Sequence, residues 1–152
     1  MAVSPKARAL CARPYPNHPR GCPKLGTCPT CPPRCRPITD VLDLSQPTFV
    51  IYTELPLGEH AAKLKAKHPD WTRRQLACCL YWQAKARQNL LQAIKELVKL
   101  YPSLFIAASP EAMGINVTET MRRAGVQLEW PPVARTYQVA VAGTRLAKAA
   151  YK

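Results

Sequence analysis

The segment Cys11–Cys35, CARPYPNHPRGCPKLGTCPTCPPRC, sets the tightest limit on how this chain can fold. It carries five of the seven cysteines and seven of the sixteen prolines. Proline fixes φ and has no N–H to donate, so neither a regular helix nor a central strand can run through it. Residues 1–37 together hold nine prolines, seven Lys or Arg and no acid, the first acid being Asp40. Without a cross-link such a stretch is a basic arm with little to bury. With one it becomes an ordered knuckle. The sequence therefore divides into a Cys/Pro-rich basic segment, 1–37, and an α/β or α+β domain, 38–152, expected to pack with it as one folding unit.

The cross-link is either disulfide or metal. At 152 residues the chain can bury a core without staples, and an odd number of cysteines argues against a complete disulfide framework. The start, MAVSPKARALCARPYP, lacks the unbroken apolar stretch of a secretory signal. No apolar run approaches the ~20 residues that span a bilayer. These features lead us to expect a cytoplasmic protein with no membrane partner, in a reducing compartment where clustered cysteines read as metal ligands.

The clustered cysteines are Cys11, Cys22, Cys28, Cys31 and Cys35. The C-x-x-C step from Cys28 to Cys31 lets two thiolates from one turn reach one centre. Zinc asks for four N or S ligands in a closed tetrahedron. Iron–sulfur clusters also use cysteines, some of them followed by proline, and Cys22, Cys28 and Cys31 each precede a proline. Spacing alone leaves the metal open. Cations from Arg13 to Arg36 are expected to lower the thiol pKa values. His18, in YPNHP, is either a further ligand or a loop residue bonded to backbone. Cys78 and Cys79 are expected on a long helix, about 100° apart around its axis. At most one of them, Cys79, would close the site; otherwise both are small buried hydrophobes.

From Thr48 onward the pattern becomes regular. TFVIYTE (48–54) reads as a strand, and GEHAAKLKAKHP as a helix ending before Pro69. Thr72 and Gln75 form a capping box that opens a long helix to about Leu100. SLFIAA (103–108), VQLEW (126–130) and TYQVAVAG (136–143) are further strand candidates. Asn116 caps a short helix ending at Gly125. The expected architecture is a small sheet of about four strands with packed helices.

Three stretches, PYPNHPRGCPKLGTCPTCPP, CCLYWQAKARQNLL and SPEAMGINVTETMRRAGVQLEWPP, resemble a family of small, predicted metal-binding proteins from bacteria, archaea and phages. The resemblance covers Cys11 to about Pro132. It implies Cys11, Cys22 and Cys31 as signature ligands, with Cys28 and Cys35 as additions competing for a fourth place. Three signature thiolates suit a 4Fe-4S cluster with one iron open to a small substrate, or a zinc with a fourth protein ligand. Larger relatives carry a second cysteine cluster before the PEA segment; IKELVKLYPSLFIAAS has none, so one centre is expected. In that PEA segment, Glu111 and Asn116 are either pocket residues or caps and turn residues.

The expected function is metal binding, with an iron–sulfur cluster as cofactor and zinc as the alternative. The formal net charge of +13 points to a polyanion, most often nucleic acid. The competing reading is accordingly a zinc-stapled nucleic-acid-binding module, touching phosphates through Arg13, Arg20, Lys24, Arg34 and Arg36 beside Tyr15. No Gly-rich phosphate loop, H-E-x-x-H or G-x-S-x-G occurs, so no enzyme class follows from motifs.

Overall fold

In a computed structural model, which describes residues 1–14, 19–23 and 25–147, the chain is α+β. The described residues form five helices and one antiparallel sheet of three strands. Strand β1 (Thr48–Leu55) pairs with β3 (Thr136–Gly143) from Thr48 opposite Gly143 to Leu55 opposite Thr136. Strand β2 (Phe105–Ala107) takes the other edge of β3. The central position explains why β3 is small and apolar: Ala140, Val141 and Ala142 are fully buried.

The sheet has three strands because VQLEW does not form one. The Glu129 carboxylate accepts hydrogen bonds from the backbone N–H groups of Val133, Ala134 and Arg135, at 3.0, 2.9 and 3.3 Å. That side chain gathers the following residues into a turn, and Pro131 and Pro132 have no N–H for a ladder.

Helix α1 is Pro5–Ala9 and α2 is Leu57–Lys67, the latter ending before Pro69 as expected. The long helix expected from Thr72 is two helices, α3 (Arg73–Leu76) and α4 (Gln83–Leu100). The capping box is present, with the Thr72 N–H donating to Gln75 Oε1 at 2.9 Å and the Gln75 N–H to Thr72 Oγ1 at 3.4 Å. The break follows at Ala77. Its carbonyl accepts from the Trp82 indole Nε1 at 3.3 Å, and the Tyr81 N–H, which a continuous helix would have aimed there, bonds Cys78 O instead at 3.2 Å. Leu80, in the break, is consequently 82% exposed. Helix α4 lies against β1 and β3 and buries Ala86 and Leu90.

Helix α5 (Val117–Arg123) starts as read from sequence, with Asn116 Oδ1 accepting the Glu119 N–H at 3.0 Å. The first residues of the chain dock beside it. The Ala2 N–H donates to Thr120 Oγ1 at 3.0 Å, the Asn116 N–H to Ala2 O at 2.8 Å and the Ser4 N–H to Gly114 O at 2.7 Å. The core runs across residue 37: Cys35, Ile38, Val41 and Leu42 pack with Ala107, Met113, Ile115 and Val141. Burying an aliphatic side chain of this size contributes about 1.5–3 kcal/mol, so Ile38, Leu42 and Ile115 anchor the cysteine segment to the sheet.

Candidate metal centre

Two local devices set the cysteines beside one another. The first joins Cys11 to Cys22. The Cys22 N–H donates to Cys11 O at 2.9 Å, and Gly21 lies directly on that peptide with φ +80°. A Cβ at Gly21 would stand 2.8 Å from both Cys11 O and Ala12 C. Only glycine lets the two stretches approach so closely. The second device winds Cys28 to Cys35 into successive turns: the Cys31 N–H bonds Cys28 O at 3.1 Å, the Cys35 N–H bonds Cys31 O at 3.0 Å, and the Gly26 N–H reaches Pro32 O at 2.9 Å.

Cys31 thereby comes within electrostatic reach of Cys28, Cys22 and Cys11, and Cys11 within reach of Cys22. The Cys11 thiol is pushed up by burial first, then by Cys22, Glu111 and Cys35. The Cys31 thiol is pushed up by burial first, then by the charge and hydrogen bond of Cys28, then by Cys22 and Cys11. This reverses the expected lowering by cations. Arg34 Nη1 donates to Thr27 O at 3.4 Å and Arg36 Nη2 to Asp40 O at 2.8 Å, so both guanidinium groups are turned to backbone carbonyls. The opposing pull on Cys11, from Arg8, is its weakest influence.

Cys35 differs from the other four. It is buried in the core, and its Sγ donates to Ala112 O at 3.1 Å. Cys78 and Cys79 are not neighbours on a helix; they sit in the break before α4, with Cys79 exposed. His18, Tyr15 and Lys24 lie outside the described residues. Among the described residues, no three Cys, His, Asp or Glu side chains converge on a common point as metal ligands. The donor chemistry and the adjacent backbone stations of Cys11, Cys22, Cys28 and Cys31 nevertheless fit a thiolate centre, because the sulfurs are part-exposed and their loops are already joined. A second feature agrees. Arg8 Nη2 donates to Cys35 O at 3.0 Å, while its Nη1 is buried with no partner. A half-buried guanidinium with one unpartnered arm beside thiols suits an anionic group.

An open cavity of about 1080 Å3 adjoins these cysteines. Cys22, Cys28 and Cys31 line it, together with Glu111 and Asn116, the two residues read as pocket candidates. Asn116 serves the cavity wall and the α5 cap at once. The Glu111 side chain touches solvent because the cavity is open, yet protein surrounds it on most sides, and burial raises its carboxyl above the ordinary range. Gln83 and Arg87 of α4, with Arg135 and Tyr137 at the start of β3, complete the polar wall. Of these four, only Gln83 was singled out from sequence, as a core residue or a group supporting the cluster. Gln83 and Arg87 are one turn apart (i, i+4) and so share a helix face, but nothing in the residue pattern tells which way that face looks.

No family model matches the chain, and no curated protein or solved structure matches it.

Proposed function

We propose that Cys11, Cys22, Cys28 and Cys31 hold one metal centre, a 4Fe-4S cluster, at the edge of a cavity that admits a small molecule. The observation carrying this reading is the gathering of these cysteines: Cys11 and Cys31 are raised by burial and then by neighbouring thiols, and Cys22, Cys28 and Cys31 stand in the cavity wall. A structural zinc closes its tetrahedron and needs no adjoining cavity. Cysteine–proline steps at Cys22, Cys28 and Cys31 favour iron and sulfide in the same way. Cys28 is preferred to Cys35 as the fourth ligand, because the Cys35 thiol is already spent on Ala112 O.

In this reading Arg8 offsets the negative charge of the thiolate centre, and Gly21 keeps Cys22 against Cys11. The cluster, when bound, would supply redox chemistry, since the four thiolates would hold one iron each. Glu111, Asn116, Gln83 and Arg87 would orient a guest beside it.

The test is chemical analysis of protein purified without air. Iron and acid-labile sulfide in equal amounts, near about four per chain, with broad visible absorption, is the expected result. One zinc per chain and no sulfide would replace the cluster with a structural knuckle. Neither metal would remove the proposal altogether.

A further inference from the structure

A second basic stretch lies outside the cysteine segment. Between residues 60 and 95 there are eight Lys or Arg and one acid, Asp70. Lys63, Lys67, Arg73, Lys85 and Arg87 are all exposed, and none makes an ion pair among the described residues. Lys63 and Lys67 are four residues apart in α2 and so share a face of that helix.

Three aromatic rings are stacked within this stretch. His68 lies on Trp71 with centroids 4.1 Å apart and planes 10° apart. Tyr81 lies against Trp71 at 4.9 Å. The Lys65 ammonium donates to Pro69 O at 2.5 Å and Trp71 O at 3.1 Å, which fixes the turn carrying the Trp71 ring. Trp71 is half-buried as the middle of the stack, while His68 and Tyr81 are exposed. The helix break at Ala77 is what brings Tyr81 to this position. A continuous helix from Thr72 would put Tyr81 and Trp71 nearly three turns apart along its axis.

We infer that single-stranded nucleic acid binds along this ridge, its bases stacking on His68 and Tyr81 and its phosphates meeting Lys63 and Lys67 of α2 and Arg73 at the start of α3. Exposed flat rings beside unpaired cations are what an unpaired base and its phosphate require. A duplex keeps its bases stacked internally and would use the charges alone. In the cysteine segment Arg34 and Arg36 donate to backbone carbonyls. The inference is independent of the metal.

The experiment is fluorescence anisotropy of the full chain with labelled dodecameric oligothymidine across a potassium chloride series. A twelve-base-pair duplex and inorganic polyphosphate serve as competitors. Binding to the single strand in preference to both competitors supports the inference, and equal competition by polyphosphate or duplex overturns it. Tyr81→Ala should weaken single-strand binding about tenfold while leaving the salt slope unchanged. Unchanged affinity in that variant overturns the stacking role. Lys63→Gln with Lys67→Gln, at exposed sites that cannot unfold the chain, should make the salt slope shallower by about 0.7 for each phosphate no longer neutralised. An unchanged slope overturns the electrostatic role.

Discussion

Gly21 and Gly26 allow the geometry of the cysteine loops to be tested by two substitutions that differ in one respect. Both glycines have positive φ, +80° and +73°. Alanine in that region costs roughly 1–2 kcal/mol at either position. At Gly26 nothing lies within 4 Å of the added Cβ, so Gly26→Ala should cost only that. At Gly21 the Cβ would meet Cys11 O and Ala12 C at 2.8 Å. Both are backbone atoms in a hydrogen-bonded contact, and neither can swing aside as a side chain would. Overpacking of this kind adds roughly 1–3 kcal/mol. Gly21→Ala should therefore destabilise by roughly 2–5 kcal/mol, a large part of a typical domain's stability. Urea unfolding of the metal-free protein measures both. The same variants titrated with zinc under competition should show a large affinity loss for Gly21→Ala and a small one for Gly26→Ala. Equal costs at the two sites would refute the argument that Gly21 exists to seat Cys22 against Cys11.

Other consequences follow from the same groups. The Glu111 carboxyl is raised by burial, so its contribution to stability is complete below its unfolded value and is lost as pH rises through the folded one. Glu111→Gln should accordingly match the parent melting temperature near pH 4 and exceed it at pH 7, in thermal melts of the metal-free protein. The raised thiols of Cys11 and Cys31 have the same sign. Metal-free protein should lose stability as pH climbs through the thiol range, and alkylation of these two cysteines at pH 8 should be slower than in the unfolded chain. Glu119 has the opposite sign. Arg122 first and Arg123 second hold its carboxyl down to about 2, so its contribution is present above the unfolded value and is lost as pH falls toward 2. The group is exposed and solvent screens its pairs, so Glu119→Gln should leave the neutral-pH melting temperature almost unchanged.

Much of this architecture can be read from the residues, for identifiable reasons. Strands β1 and β3 are marked by β-branched and aromatic runs, α2 by the proline beyond it, and α3 and α5 by their side-chain caps. Those signals are local, and local physics decides them. The departures arise where a side chain takes over backbone hydrogen-bonding groups. Trp82 claims the Ala77 carbonyl and ends a helix whose propensity would carry it onward. Glu129 claims three N–H groups and abolishes a strand. Cys35 is similar. Its spacing makes it equivalent to Cys28, and only the approach of Ala112 from the other end of the chain separates the two. Glu111 and Asn116, read from sequence as either pocket or cap residues, line the cavity; Arg87 and Arg135 were not legible, because their facing depends on the assembled sheet.

The central claim is that four particular cysteines share one metal centre, and the most direct test is metal content across five single variants purified without air. Cys11→Ser, Cys22→Ser, Cys28→Ser and Cys31→Ser should each lower iron and sulfide per chain, while Cys35→Ser should keep the parent content, since its hydroxyl can still donate to Ala112 O. Loss of metal in Cys35→Ser with full retention in Cys28→Ser would contradict the account, as would a metal content that none of the five variants changes.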